Sequence, residues 1–203
     1  MTEETLRTNM ERSLEVHGRI LTACLPAMSK AADAIISAYS AGRKAIFFGN
    51  GGSAADAQHL AAEFVGRYLR ERAPLPALAL NSNSSAVTAI SNDYGYAEVF
   101  ARQLEALAVR GDVAVGISTS GNSPNVIQAL RAARRLGLFT IGLTGASGGA
   151  MRNEVDVLIA APSDETPRIQ ECHILIGHAL CDAVEQAVTS GTPAVSEQKA
   201  GNR

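Results

Sequence analysis

The sequence contains no apolar run that approaches the roughly 20 residues needed by a membrane-spanning helix. Its first residues, among them Glu3, Glu4 and Arg7, lack the apolar core of a signal peptide. An excess of charge of one sign is also missing, because 18 basic residues face 20 acidic ones and the net charge is −2. Nucleic-acid binding normally requires a basic patch or tail. We therefore expect a cytoplasmic protein that acts neither at a membrane nor on nucleic acid.

Cysteine is scarce, with three residues in 203, Cys24, Cys172 and Cys181. They form no C-x-x-C pair, and an odd, scattered set is a poor disulfide framework. A Walker A sequence, G-x-x-x-x-G-K-[ST], is absent as well, which disfavours nucleoside triphosphate hydrolysis. We expect reduced thiols in the core and a ligand other than a nucleoside triphosphate.

Short apolar segments alternate with helical ones after an amino-terminal helical stretch. Residues 4 to 41 have helical apolar spacing and predict two helices joined at Pro26. Strands are predicted at 45–48, 77–80, 113–117, 139–143 and 155–160, and helices near 53–69, 84–91, 97–109, 124–136 and 166–189. Most strands are apolar on both faces, which is typical of a parallel sheet covered by helices on each side. The predicted fold is a three-layer α/β sandwich with an amino-terminal helical pair.

The chain is expected to form one structural unit. Residues 1–41 precede the first strand, 42–190 hold the alternating segments, and 191–203 are a short flexible tail. The last helix is apolar on more than one side, since Ile174 and Leu175 point away from the face that carries Cys172 and Ile176. Such a helix is expected to contact another subunit as well as its own sheet.

The first predicted strand ends in a glycine-rich loop, Gly49 to Ser53. Ligands of open parallel sheets bind beyond the carboxyl ends of the strands. Glycine lets the backbone approach a ligand, and Ser53 is expected to cap the following helix, whose free N–H groups attract anions. The loop also fits a relaxed dinucleotide fingerprint. The acidic ribose partner is missing, since the next strand ends in Asn81-Ser82-Asn83, and a nicotinamide cofactor is therefore disfavoured.

The third predicted strand is followed by four hydroxyl residues, Ser118, Thr119, Ser120 and Ser123, before Pro124 at a favoured first helical position. An N-cap role would explain the presence of Ser123 but not that of the other three hydroxyl residues. The remaining hydroxyls and the backbone donors favour phosphate binding, and the lack of a lysine suits a sugar monophosphate.

Candidate proton-transfer groups lie on two helices far apart in the sequence. His59 and Glu63 are four residues apart and share a helix face. The last helix carries Gln170, Glu171, His173 and His178. At about 100° per residue, His178 lies roughly 20° from Glu171 and roughly 80° from Gln170, so periodicity slightly favours Glu171 without deciding between them. Purely structural roles for His173 and His178, and a solvated surface pair of His59 and Glu63, are the alternatives.

Five stretches of the sequence together resemble the bacterial phosphoheptose isomerases, which belong to the sugar isomerase (SIS) superfamily. They are GNGGSAADAQHLAAEFVGR, NDYGYAEVF, GISTSGNSPNVIQAL, LTG followed by GG, and RIQECHILIGHALCD. The resemblance extends in order to about residue 188 and implies a SIS fold of flavodoxin-like type with a five-stranded parallel sheet. It implies an aldose–ketose isomerase that converts D-sedoheptulose 7-phosphate to D-glycero-D-manno-heptose 7-phosphate through an enediol, for bacterial heptose and lipopolysaccharide or other surface-glycan synthesis.

The resemblance also implies the roles of individual residues. Those expected to hold the 7-phosphate are Ser53, Ser118, Thr119, Ser120 and Ser123, and those expected to contact the sugar are Asn50, Gly51, Gly52, Glu63, Asn92, Asp93 and Gln170. One zinc ion per subunit is expected on His59, Glu63, Gln170 and His178, so the resemblance selects Gln170 over Glu171. Our hypothesis is that Glu63 is the catalytic base and His178 its acid–base partner. A homotetramer is implied, with sites drawing on adjacent subunits and residues 1–41 used in oligomerisation.

Two alternatives share the fold. A regulatory group of the same superfamily, which binds the bacterial replication initiator, has the RIQE stretch and much of the phosphate loop. It lacks the Glu and the final His that are present here as Glu63 and His178. A SIS isomerase for another sugar phosphate, or a sugar-phosphate-sensing domain, would have the hydroxyl loop without the helix pair.

Overall fold

A computed structural model of the chain describes residues 1–190. The helices are α1 (Thr2–Ala23), α2 (Leu25–Ser40), α3 (Gly52–Val65), α4 (Ser84–Tyr94), α5 (Val99–Leu107), α6 (Pro124–Leu136) and α7 (Thr166–Ser190). The strands are β1 (Ala45–Gly49), β2 (Ala77–Ala79), β3 (Val113–Ile117), β4 (Phe139–Thr144) and β5 (Val157–Ala160). Short 3₁₀ turns cover Tyr96–Glu98 and Ala150–Asn153. The predicted tail, 191–203, lies outside the described residues.

The five strands form one parallel sheet in the order β2-β1-β3-β4-β5. Strands β1 and β3 are buried throughout, which explains their continuous apolar runs. Strand order reverses between β1 and β3, and this switch point is where doubly wound sheets bind ligands. The sheet therefore places the ends of β1 and β3, and their two polar loops, side by side.

Helices cover both faces of the sheet, as the alternating pattern predicts. On one face, residues of α1, α2, α3 and α7 pack with Phe47, Val115 and Ile141 in a single apolar cluster. On the other face, α5 and α6 pack against Ile46 and Phe48. The three-layer sandwich is confirmed, and the amino-terminal helices share its core.

Several predicted boundaries were wrong by a few residues. The break between α1 and α2 falls at Cys24, and Pro26 lies inside the first turn of α2, where its missing N–H costs no hydrogen bond. Helix α3 ends at Val65, short of the predicted 69, because the chain turns there into an irregular segment. The predicted strand 155–160 begins only at Val157, and predicted helix 97–109 begins as a 3₁₀ turn.

Within residues 1–190, no individual helix combines the length and apolarity needed to cross a membrane. Taken together, α1 and α2 meet those two criteria, but they are bent by 67° at their junction.

Candidate functional site

The loops after β1 and β3 touch because their strands are neighbours. Gly49, the last residue of β1, pairs with Ile117, the last residue of β3. A side chain at Gly49 would place its Cβ 2.8 Å from the Ile117 carbonyl oxygen and 2.8 Å from the Cβ of Ser53. Glycine is therefore required for the close approach of the two loops.

Three hydroxyl groups converge at the start of α6. Ser118 Oγ lies 2.9 Å from Ser123 Oγ and 3.5 Å from Ser120 Oγ, and Ser118 is buried. Ser123 occupies the N-cap position of α6 without making a side-chain capping bond, so its hydroxyl remains turned towards Ser118. The free N–H groups and partial positive charge of a helix start attract anions. The arrangement can bind a phosphate group.

The remaining predicted phosphate ligands are placed around this cluster. Thr119 is half-buried, and its backbone carbonyl accepts a hydrogen bond of 2.9 Å from Gly145 N. Ser53 is buried at the second position of α3. The prediction that Ser53 caps α3 was wrong, because the N-cap residue is Gly51, whose φ of 58° suits glycine.

The loop after β4 supports the hydroxyl loop from behind. Gly121 packs so closely on Gly148 that an added Cβ would overlap the Gly148 carbonyl. Ala150 N donates to Asn122 Oδ1 at 2.9 Å, and Met151 N donates to Gly121 O at 3.0 Å. The LTG and GG stretches thus support the hydroxyl loop, a role that the sequence pattern did not indicate.

Asn50, at the end of β1, is held by two side chains that sequence reasoning missed. The amides of Asn50 and Asn125 exchange two hydrogen bonds of 2.9 Å, and Tyr96 Oη donates to Asn50 Oδ1 at 2.9 Å. Both partners lie within the motifs NDYGYAEVF and GISTSGNSPNVIQAL, but nothing in their spacing distinguishes them. Asn50 is therefore oriented before any ligand binds.

Asn92 and Asp93 lie at the carboxyl end of α4, and both are exposed. Asn92 Nδ2 donates to Asp93 Oδ1 at 2.9 Å. Asp93 lines a cavity of about 560 Å³ between β2, α4 and α5, next to Tyr94 and Arg102. The structure thus places the Asp93 side chain at a cavity that Asn50 does not line, and it does not bring Asn92 or Asp93 into contact with Asn50.

Helices α3 and α7 bring together His59, Glu63 and His178. His59 Nε2 lies 3.1 Å from Glu63 Oε1 and 2.9 Å from His178 Nε2. One ligand atom from each residue lies within 4.8 Å of the other two. Ligand atoms on a tetrahedral zinc ion, each about 2.0–2.1 Å from the metal, lie about 3.3 Å apart. Two imidazole nitrogens and a carboxylate oxygen at these separations could hold a metal ion.

Gln170 and Glu171 point to different surroundings. The Gln170 amide lies over Gly52, where an added Cβ would overlap its Nε2 atom. Glu171 accepts hydrogen bonds from Ser13 Oγ at 2.7 Å and from Arg168 at 2.6 Å, so it is turned towards α1. Gln170 thus faces the first ligand loop, and the slight preference of periodicity for Glu171 was wrong because the partners in α1 decide where that side chain points.

His173 has no role in the cluster. It is fully buried, and its Nε2 lies 3.1 Å from the Thr144 carbonyl oxygen. Burial lowers the pKa of His173 to about 4, against a smaller opposing effect of that hydrogen bond. His173 is a neutral structural residue at the end of β4.

Close packing of α3 on α7 sets the distance between their functional side chains. A Cβ at Gly177 would lie 2.5 Å from Leu60 Cδ2. The neighbouring residues, His178 and His59, have their ring centroids 5.0 Å apart, and the ring of Tyr68 lies 5.4 Å from that of His178. Tyr68 is a further site residue that sequence reasoning missed.

Comparisons with known proteins identify the family of the chain. The family model described as SIS domain matches residues 10–145. A phosphoheptose isomerase of Rhodospirillum rubrum is 55% identical over 167 residues, which are 82% of this chain and 89% of that protein. The structure of a phosphoheptose isomerase from Francisella tularensis superposes with a TM-score of 0.89 at 37% identity, covering 92% of this chain and 99% of the other. The phosphoheptose isomerase structure from Neisseria gonorrhoeae gives 0.87 at 41% identity, covering 92% and 100%.

Proposed function

The chain belongs to the phosphoheptose isomerases of the SIS-domain family, and on this basis we propose that it converts D-sedoheptulose 7-phosphate to D-glycero-D-manno-heptose 7-phosphate through an enediol. The chain is thus an isomerase. The observation that carries the proposed reaction is the meeting of His59 and Glu63, on the helix α3 that begins in the first polar loop, with His178 on α7 at 2.9–3.1 Å.

Binding begins at the phosphate. Ser118, Ser120 and Ser123, with Thr119 and Ser53, would hold the 7-phosphate at the start of α6. Asn50, whose side chain is held by Asn125 and Tyr96, would contact the sugar. The phosphate would anchor the sugar without reacting, and the carbonyl end of the sugar is the part that reacts.

The reaction moves one proton between carbons and one between oxygens. Glu63 would remove a proton from C1 of the ketose, giving the enediol, and would return it to C2. His178 would take the proton of the C1 hydroxyl and give a proton to the C2 oxygen. General acid–base groups of this kind contribute about 10²–10⁴-fold to a rate. Only the C1–H and O1–H bonds break, and the C2–H and O2–H bonds replace them.

His59, Glu63, Gln170 and His178 would hold one zinc ion per subunit. When bound, such an ion supplies Lewis acidity that polarises the carbonyl and hydroxyl oxygens of the sugar. The ligand set is supported by the cluster of His59, Glu63 and His178 and by the orientation of Gln170 towards Gly52. Because Glu63 has two proposed tasks, its replacement affects both metal content and proton transfer.

A homotetramer is proposed, with residues 1–41 in its interfaces. The side of α1 that faces its own chain buries Val16 and Ile20 and also makes polar contacts, such as Ser13 with Glu171. Beside these contacts the helix presents an apolar row whose residues are 60–71% exposed: Leu6, Met10, Leu14 and Leu21. Leu175 on α7 is also 45% exposed. Apolar rows of this kind mark contact surfaces.

A cytoplasmic location is proposed, and the product would supply bacterial heptose synthesis for lipopolysaccharide or another surface glycan. The cysteines support a reducing compartment, since Cys24, Cys172 and Cys181 are free and buried. Burial raises the pKa of Cys172 to about 11 and that of Cys181 to about 12, so both thiols stay protonated.

The regulatory alternative, binding of a replication initiator, receives no support from these comparisons. The relatives and structures described above are named as isomerases. The catalytic pair that the regulatory group lacks, Glu63 and His178, is present here and meets at one place with His59.

The test is direct conversion. Purified protein is incubated with sedoheptulose 7-phosphate, and the aldoheptose signal is followed by NMR with zinc, with a chelator, and after zinc is restored. We expect conversion that the chelator abolishes and zinc restores. Absence of conversion in every zinc-containing sample, together with tight binding to an initiator protein, would reverse the assignment.

A further inference from the structure

Arg72 caps the helix that carries His59 and Glu63. Its side chain is only 5% exposed. One terminal nitrogen donates to the carbonyl oxygen of Glu63 at 2.8 Å, and the other donates to that of Phe64 at 3.0 Å. The last carbonyls of a helix have no partners within it, so Arg72 supplies bonds that α3 lacks. The backbone at Glu63 is thereby fixed by a side chain outside the helix.

Glu185 binds the backbone of the segment that follows α3. Its carboxylate, 1% exposed, accepts hydrogen bonds from the backbone N–H groups of Tyr68, Leu69 and Arg70 at 2.7–2.9 Å. Arg72 Nε donates to the same carboxylate at 3.0 Å. Burial raises the pKa of Glu185, but the three backbone donors and Arg72 outweigh this effect and lower it, so the group is a carboxylate at neutral pH.

Glu185 and His178 lie on the same side of α7. They are seven residues apart, which at 3.6 residues per turn rotates one only about 20° relative to the other. Tyr68, whose backbone N–H is held by Glu185, packs its ring 5.4 Å from that of His178. The Arg72–Glu185 pair therefore joins the end of α3 to the His178 face of α7.

We propose that Arg72 and Glu185 are positioning residues, which set the spacing of α3 and α7 and so hold His59 and Glu63 opposite His178. A buried ion pair is weak evidence of a stabilising role, because desolvation offsets much of its attraction. The Arg72–Glu185 pair instead resembles the contacts around a metal site that orient the metal ligands without binding the metal themselves. The inference rests on the proposed function in taking this cluster as the reaction centre.

The test compares Glu185→Gln and Arg72→Lys with the full-length wild type, using Co²⁺ alone as the probe. The visible absorption of bound Co²⁺ depends on the number and geometry of its ligands. Chelator competition gives its affinity, thermal unfolding reports stability, and kcat and KM are measured separately after metal loading. Arg72→Lys keeps the positive charge beside Glu185 and decides the question if Glu185→Gln does not fold.

Asp112→Asn is the matched control. Asp112 is also a fully buried carboxylate, paired with Lys44 at 2.6 Å and bonded to the backbone N–H groups of Lys44 and Val109. It lies just before the amino end of β3, whereas the two ligand loops follow the carboxyl ends of β1 and β3. Its substitution reports the effect of losing a buried ion pair away from the cluster.

We expect Arg72→Lys and Glu185→Gln to weaken Co²⁺ binding about tenfold, change its absorption spectrum and lower kcat more than they raise KM. Asp112→Asn should lower the unfolding temperature and leave the spectrum unchanged. Native Co²⁺ affinity and spectrum in the folded variants would overturn the inference. If wild type binds Co²⁺ but does not isomerise the sugar, the proposed function fails. The Co²⁺ affinity and spectrum of the variants would still test the positioning role.

Discussion

Nε2 of His59 lies 2.9 Å from Nε2 of His178, although 119 positions separate the two residues in the chain. The side chains belong to different helices, and the contact exists only when α3 packs on α7. A cation shared by both nitrogens and Glu63 would therefore bind the folded chain and not the unfolded one.

Zinc should stabilise the fold through this contact. A ligand of the folded state alone, present at about 100 times its Kd, stabilises by about 2.7 kcal/mol. For a chain of this size we expect the unfolding temperature to rise by about 5–10 °C, measured by differential scanning calorimetry. His59→Ala and His178→Ala should lose the shift, and His17→Ala, outside the cluster, should keep it. A full shift in the His59→Ala/His178→Ala double variant would contradict the metal site.

Replacing Glu63 with Gln should remove the base and leave phosphate binding intact. We expect kcat to fall by at least about 10²-fold, the contribution of a general base. Inorganic phosphate affinity, measured by calorimetry, should stay within about twofold. Glu105→Gln changes an exposed carboxylate that pairs with Arg135 and should have normal kinetics. Near-normal turnover of Glu63→Gln would remove Glu63 from the catalytic residues.

Loss of the Ser123 hydroxyl should weaken substrate binding. A hydrogen bond to a charged group is worth about 1.5–3 kcal/mol, so Ser123→Ala should raise KM by about tenfold or more with little change in kcat. Ser40→Ala, on the far end of α2, removes an exposed hydroxyl and serves as the control. The phosphate assignment fails if the two variants have the same KM for the sugar phosphate.

Acid should destabilise the protein through His173. The unfolded chain takes up a proton on this residue near pH 6.5, whereas the folded chain keeps it neutral down to about pH 4. Between these values the unfolded state binds more protons, so stability falls as pH decreases. From pH 7.5 to pH 5 the loss should be about 2 kcal/mol, measured by urea unfolding. His173→Gln should show a smaller loss over the same range, and an equal loss would show that His173 does not titrate this way.

Local sequence patterns predicted most of the fold. Strands β1, β3 and β4 and helix α6 lie where their apolar runs indicated, because a doubly buried strand needs apolar residues on both faces. The hydroxyl loop was also predictable, since it follows the third predicted strand and precedes Pro124, which favours the first position of a helix. Element ends were less predictable: α3 ends at Val65, and two carbonyls of its last turn are bonded by Arg72, which lies outside the helix and outside any local pattern.

The sequence by itself determined the parallel three-layer sheet, the two polar loops and the residue types available for proton transfer. Only the tertiary structure decided that Gln170 faces the ligand loop while Glu171 turns to Ser13, and that His59 meets His178. Periodicity describes the direction of a side chain around its own helix. The partner it meets depends on where another helix packs, and here the contact of Gly177 with Leu60 and the bridge from Arg72 to Glu185 hold the two helices at that distance.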